Sequence, residues 1–267
     1  MKNGVVVSHA TLPQSLPRKL HSSRLTFDKK SRRILSAQDL TELKQQGFLS
    51  VAKIAAPSDM AELSAIIDEL FARTGHEHGL LDCPARLAPQ LKASRVFRSC
   101  EAIAKQVLGK TALYAFDKAI YKPPFDTKGT LWHQDQALHG KWFPMNTLHF
   151  WFPLQPVSNE NGCMHYISGS HNMGLLPHYR FDPADPYTLI TDHIDHAQEV
   201  VCPLLPGDAV LHLPLTLHSS LPNTTANIRR AWALLFRPFG RFGRFNPIPC
   251  LKQCWNLRSL PGFVAIS

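Results

Sequence analysis

No stretch of the 267-residue chain reaches the ~18 uninterrupted apolar residues of a membrane-spanning helix; Pro, His and Asn break the nearest runs. A soluble protein without a membrane span is expected. The six cysteines (Cys83, Cys100, Cys163, Cys202, Cys250 and Cys254) contain no CxxC pair and no disulfide-framework spacing, which fits free thiols in a reducing compartment. No secretory leader is expected, because the apolar run near the start, Gly4–Val7, is too short for an h-region. The first 27 residues contain no acid and carry Arg18, Lys19, Arg24 and several Ser, so an organellar transit peptide is the alternative to a flexible basic arm over residues 1–35. A cytoplasmic location is the expectation. What is present, 44% hydrophobic residues with 15 Phe, 21 Pro and 14 Gly, is the profile of one large globular domain.

The formal net charge of +9 suggests a nucleic-acid partner until it is divided along the chain. Residues 1–36 hold eight Lys/Arg against Asp28 alone, and residues 229–267 hold seven Lys/Arg and no acid. Residues 37–228 hold 14 Lys/Arg against 19 acids, a slightly acidic body. Basic ends around such a body read as solvated segments, and no helix-turn-helix, zinc-finger or RNA-recognition pattern accompanies them. No nucleic acid is expected as a partner.

Ser36 with Asp39 forms a capping-box pattern, and the helix it opens should run to Gln46 and stop at Gly47. Phe48–Ile54 reads as a strand. A helix from Pro57 to Gly75 has Leu63, Ile66, Ile67, Leu70 and Phe71 on one face, and another from Ser94 to Gly109 has Phe97, Cys100, Ile103 and Val107 on the period. Beyond residue 110 the texture changes to short β-rich segments: Ala112–Tyr121, Thr147–Leu154, Cys163–Ile167, Glu199–Pro203, Ala209–Leu213 and Ala231–Phe236. Helices first and antiparallel strands after give a mostly β sandwich or barrel with helices on one outer face. The polar, His- and Asp-rich residues 172–197 suggest a lid or substrate loop.

His133-Gln134-Asp135 lies at a strand boundary. In extended backbone residues i and i+2 share a face, so the imidazole and the carboxylate would emerge side by side. A distal histidine would complete the 2-His-1-carboxylate face that binds Fe(II) and leaves positions open. His218 and His212 compete for that place; they share parity, but Pro214 interrupts between them. A second HxD, His193-Ile194-Asp195, lies in the polar loop without a β pattern and reads as solvated. Arg229 opens a strand that should return beside the His218 strand across Pro222-Asn223-Thr224-Thr225. There its fork would face the pocket and capture a carboxylate, unless it serves a salt bridge or an exposed strand end.

Taken together, from about residue 112 to 236, the motifs Ile120-Tyr121-Lys122-Pro123-Pro124, Trp132-His133-Gln134-Asp135, Trp151, Ser158-Asn159-Glu160-Asn161-Gly162-Cys163-Met164, Ile167-Ser168-Gly169-Ser170-His171, Gly207-Asp208 and His218 through Pro222-Asn223 to Arg229-Arg230-Ala231 resemble the phytanoyl-CoA dioxygenase family of Fe(II)- and 2-oxoglutarate-dependent oxygenases. The resemblance implies a double-stranded β-helix (jelly-roll, cupin-like) core over residues 111–237 with N-terminal helices packed on one sheet. Residues 36–267 would be a single oxygenase domain, mainly helical over 36–110 and ending in a basic segment, 238–267. It chooses His218 over His212 and makes His133, Asp135 and His218 the iron ligands. Arg229 becomes the anchor of the distal carboxylate of 2-oxoglutarate, with Ser220 supporting it, Trp151 as an aromatic wall and Lys118 as a further cation. Asp135 argues against a halogenase, which lacks that carboxylate. The cofactors implied are Fe(II), 2-oxoglutarate and O2. The reaction implied is oxidation of a C–H bond in a small-molecule substrate with release of succinate and CO2, ordinarily as hydroxylation, with desaturation or cyclisation as other outcomes. Gln134, Trp142, Phe143, Tyr179 and Arg180 are the candidates for substrate contact. A metal-free jelly-roll binding protein is the competing class, against which the intact triad and Arg229 argue.

Overall fold

The computed structural model describes residues 26–27, 33–75, 79–139, 146–181 and 189–239. Nearly all of the basic arm and of the basic C-terminal segment, and both Trp142 and Phe143, lie outside the described residues. Two short paired strands, β1 (Thr26–Phe27) and β2 (Arg33–Ile34), precede α1 (Ala37–Gln46). Ser36 and Asp39 open α1 reciprocally: the Asp39 N–H donates to Ser36 Oγ at 3.1 Å and the Ser36 N–H to Asp39 Oδ2 at 2.9 Å. Gly47 closes the helix in the left-handed region. After β3 (Phe48–Val51), α2 (Pro57–Thr74) starts with Pro at its first turn and stops at Gly75. A strand that the sequence reading did not contain, β4 (Gly79–Asp82), and the single turns α3 (Pro84–Leu87) and α4 (Gln90–Ala93) lead to α5 (Arg95–Leu108), where Ser94 Oγ caps the Phe97 N–H at 3.1 Å.

Strands follow: β5 (Leu113–Lys122), β6 (Thr130–His133), the short α6 (Asp135–His139), β7 (Leu148–Pro153), β8 (Met164–Ile167), β9 (Tyr179–Arg180), β10 (Leu189–Ile190), β11 (Glu199–Cys202), β12 (Ala209–His212), β13 (His218–Ser220) and β14 (Arg229–Arg237). A six-stranded antiparallel sheet has the order β3-β12-β7-β14-β5-β4, and a four-stranded one has the order β11-β8-β13-β6. β9 and β10 form a separate ribbon.

Period-two alternation sends each side chain of the large sheet to one of two cores. Along β14, Trp232, Leu234 and Phe236 join Leu63, Ile67, Leu70 and Ile103 in the core beneath the helices. Ala231, with Trp151 and Val210, faces inward to meet Met164, Tyr166 and Cys202 of the small sheet. β7 is buried on both faces, as a strand between helices and a second sheet must be. This is the jelly-roll core with helices on one face. The helical layer is tied to the sheet by Asp117, whose Oδ2 accepts from Trp232 Nε1 at 2.8 Å and from the Ala85 N–H at 3.0 Å.

The placement of β14 corrects one expectation. It does not return beside the strand of His218; it pairs with β5 and β7 in the large sheet, while β13 pairs with β6 and β8 in the small one. A turn motif shows that the chain reverses but not whether it changes sheet. Among the described residues no helix is long and apolar enough to cross a membrane.

Candidate metal and anion site

The antiparallel register sets His218 of β13 directly opposite His133 of β6. Asp135 joins them by another route than i, i+2 alternation, because His133 ends its strand and Asp135 is the first residue of α6, so the chain turns a corner between them. His133 Nε2 and His218 Nε2 lie 3.6 and 3.7 Å from Asp135 Oδ1. Their other nitrogens determine what faces that gap. His133 Nδ1 meets the Leu131 carbonyl at 2.8 Å, and His218 Nδ1 meets the Thr216 carbonyl at 2.9 Å. A carbonyl only accepts, so each Nδ1 carries the proton and each Nε2 presents a lone pair. Two lone pairs and a carboxylate oxygen then face one another at more than hydrogen-bond length. Bonds of ~2.0–2.2 Å to one ion would span these separations, so the donor set fits a divalent cation with nitrogen and oxygen preference. Burial, followed by the proximity of His133, holds His218 well below its ordinary pKa, which keeps it neutral. For Asp135 burial acts to raise the pKa, but the imidazoles of His149 and His218 outweigh it, and the group stays an anion.

Two further histidines reach the same carboxylate from the large sheet. His149 Nδ1 lies 2.8 Å and His212 Nε2 2.9 Å from Asp135 Oδ2. Sequence reasoning weighed His212 only as a rival to His218 and passed over His149. The signal for both was parity: His149 shares a face of β7 with Trp151, and His212 is its register partner on β12.

Arg229, at the inner face of β14, is 2% exposed, and its Nε and Nη1 have no hydrogen-bond partner. Its guanidinium lies 5.6 Å from the Trp151 ring centroid, a cation–π contact. Burial first pulls its pKa down to about 10. A buried, unpartnered fork calls for an anion. Register pairs Arg229 with Lys122 of β5, a residue of the Ile120–Pro124 motif. Lys122 Nζ donates to Ser220 Oγ and to the Leu221 carbonyl, both at 2.8 Å, and so bridges the two sheets. Burial and then the neighbouring Arg229 lower its pKa to about 7. The cation beside Ser220 and Arg229 is therefore Lys122 and not Lys118. Lys118 lies four residues, two periods of alternation, back along β5, 3.9 Å from Asp82 Oδ1 and over the Phe116 ring. Asn223, fully buried, ties the β13–β14 connection down by donating to the carbonyls of Pro123 at 2.9 Å and Asn227 at 2.7 Å.

Gly162 stands at this corner with φ +84°, and a Cβ there would lie 2.5 Å from the Leu221 oxygen that Lys122 uses. Gly162→Ala should therefore cost at least the ~1–2 kcal/mol of a left-handed non-glycine residue, read as a lower urea midpoint. An unchanged midpoint would show that the turn relaxes freely.

The remaining expected contacts are dispersed. Gln134 is fully buried and its amide is saturated: it donates to the carbonyls of Gly174 at 2.8 Å and Leu215 at 2.7 Å and accepts from the Leu176 N–H at 2.8 Å. It anchors the loop after β8 and has no amide hydrogen left for a substrate. Tyr179 and Arg180 are exposed on the β9–β10 ribbon, with the Tyr179 hydroxyl on Asp192 at 2.8 Å. That ribbon borders a groove of about 380 Å³ lined by Leu131, Trp132, Ile190 and His196, among others. His193 and Asp195 are exposed, and Asp195 Oδ1 caps a turn by accepting from the Ala197 N–H at 3.1 Å. Among the described residues, the groups able to hold an ion all share Asp135.

The chain is similar to several known proteins. The probable phytanoyl-CoA dioxygenase of Caenorhabditis elegans is 30% identical over 121 residues, 42% of this chain and 38% of that protein, so the match spans well under half of this relative's length. The peroxisomal phytanoyl-CoA dioxygenase of Homo sapiens is 23% identical over 258 residues, 85% of this chain and 75% of that one. The crystal structure of EvdO2 from Micromonospora carbonacea var. aurantiaca, complexed with 2-oxoglutarate, superimposes with a TM-score of 0.72 at 30% identity, covering 81% of this chain and 96% of that one. The family model for phytanoyl-CoA dioxygenase matches residues 43–231, a span that holds both the histidine–aspartate cluster and Arg229, and the chain belongs to that family.

Proposed function

We propose that the chain is an Fe(II)- and 2-oxoglutarate-dependent oxygenase that uses O2 to oxidise, most simply to hydroxylate, a C–H bond of a small-molecule substrate. The observation that carries this reading is the coexistence of two imidazole lone pairs facing one carboxylate oxygen with a buried guanidinium that lacks a partner. The EvdO2 complex with 2-oxoglutarate supports the choice of cosubstrate.

In this reading His133 and His218 present neutral Nε2 atoms and Asp135 presents a single oxygen, a face that leaves the opposite coordination positions open. Iron bound there supplies activation of O2 and the oxidising power for the C–H bond, at the expense of 2-oxoglutarate. The chain supplies position and shielding. Arg229 takes the distal carboxylate of the cosubstrate, Ser220 donates its hydroxyl to the same group, and Lys122 holds Ser220 in place. Trp151 walls the pocket below the guanidinium. The apolar residues between the sheets, Val210, Met164 and Ala231 among them, keep water from the buried charges and so strengthen their hold on an anion.

The test is anaerobic addition of Fe(II) and 2-oxoglutarate, which should give the weak visible charge-transfer band of the chelate. A mass-based substrate screen should then find a +16 product that needs Fe(II), O2 and 2-oxoglutarate together. A −2 product would change the outcome to desaturation or ring closure within the same reading. Absence of the band at saturating Fe(II) and 2-oxoglutarate would leave a binding protein on an oxygenase scaffold.

A further inference from the structure

Four imidazoles surround Asp135, and their outer partners divide them into two kinds. His133 and His218 turn Nδ1 to main-chain carbonyls, which fixes the proton away from the carboxylate. His149 and His212 turn their outer nitrogens to hydroxyls instead: His149 Nε2 lies 3.2 Å from Thr147 Oγ1, and His212 Nδ1 lies 3.0 Å from the Tyr166 hydroxyl. A hydroxyl can donate, so these outer nitrogens can accept, and the inner nitrogens then carry the protons. The distances agree. The inner nitrogens of His149 and His212 sit at hydrogen-bond length from Oδ2, whereas those of His133 and His218 stand well clear of Oδ1.

We propose that His149 and His212 are positioning residues that hold Asp135 Oδ2 with two donated hydrogen bonds and so reserve Oδ1 as the one oxygen offered to the metal. The inference rests on the metal reading given above. A carboxylate on the first residue of a five-residue helix has little else to fix its rotation. Free to turn, it could chelate through both oxygens and occupy a position that the cosubstrate needs. The holding pair is itself rigid. His149 and His212 are register partners on β7 and β12, and their rings stack at a centroid separation of 4.8 Å. Tyr166, from the small sheet, closes the chain of donors, so the fixation runs from one sheet across to the other and back.

The two histidines use different ring nitrogens, which gives a reciprocal test. The side-chain nitrogen of Asn falls near the place of a histidine Nδ1, and that of Gln near the place of Nε2. At position 149, where Nδ1 is the donor, Asn should substitute and Gln should not. At position 212, where Nε2 is the donor, Gln should substitute and Asn should not. Co(II), whose visible d–d bands report ligand number, is titrated anaerobically into the apoprotein. His149→Asn and His212→Gln should bind within about threefold of wild type and keep its spectrum, while His149→Gln and His212→Asn should bind ~10–100-fold more weakly with altered bands. A packing effect would move both amides at a position together, and each position is an independent reading should a variant at the other fail to fold. Wild-type affinity in all four, equal weakening in all four, or the opposite pairing would overturn the proposal while leaving the metal site standing. Failure of the wild-type protein to bind Co(II) would remove the metal reading, and this inference with it.

Discussion

Arg229→Leu should weaken binding of 2-oxoglutarate by at least ~30-fold and at the same time raise the melting temperature of the apoprotein. Truncating one partner of a buried, hydrogen-bonded charge pair costs ~2–5 kcal/mol, which at ~1.4 kcal/mol per decade is roughly 30- to 3,000-fold in affinity. The apoprotein bears the opposite burden, for the guanidinium is almost fully buried and two of its nitrogens are unpartnered. Replacing even a buried ion pair with well-packed apolar side chains is often neutral or stabilising by ~1–4 kcal/mol, and a guanidinium without an anionic partner lacks the pair's Coulombic return, against which stands the ~0.5–2 kcal/mol of a lost cation–π contact. Calorimetric titration with 2-oxoglutarate and a thermal melt of the ligand-free protein measure the two effects separately. Retained affinity would remove Arg229 as the anchor, and a lowered apo melting temperature would show that the guanidinium has a structural partner.

Asp135→Ala should remove Fe(II) or Co(II) binding by more than the ~10–100-fold expected for loss of an outer hydrogen-bonding partner. It should destabilise the fold as well, because the N–H groups of His149 and His212 lose their common acceptor, at ~1–3 kcal/mol for each group left unsatisfied. His193→Ala and Asp195→Ala, in the exposed loop, should leave metal affinity within experimental error of wild type. Metal titration of the three variants side by side is decisive: were the loop pair essential and Asp135 dispensable, the site would have been assigned to the wrong HxD.

Much of this architecture was legible in the sequence where local chemistry dictates it. The caps at Ser36 and Ser94 and the stops at Gly47 and Gly75 fall where backbone hydrogen bonding and left-handed φ demand them. The short strands after residue 110 follow from alternation and proline punctuation. β4 escaped because Gly79–Asp82 is only four residues long and half exposed, with no alternation to read. Sheet membership escaped for another reason: whether β14 follows β13 or crosses to the opposite sheet depends on which apolar face finds a partner, a tertiary decision that no window of sequence contains. The proposed ligands His133, Asp135 and His218 were within reach only through the family's linked motifs, since HxD is common on its own and alternation leaves His212 and His218 equivalent. His149 was not, since a histidine alternating with a tryptophan in a buried strand looks like any other core residue. Gln134 misled in the opposite direction: a polar side chain next to a metal motif suggests a substrate contact, yet here it is consumed by three main-chain groups.

The hydrogen bonds from Lys122 on one sheet to Ser220 and Leu221 on the other have a metrical consequence. His133 and His218 ride on the small sheet and the guanidinium on the large one, with face-to-face sheets lying ~10 Å apart. If these groups hold the two ends of one ligand, the span between them follows the sandwich's thickness, which the lysine's cross-sheet bonds help to fix. On the proposed reading, diacids one carbon shorter or longer than 2-oxoglutarate should bind more weakly, as a caliper rejects a part of the wrong gauge.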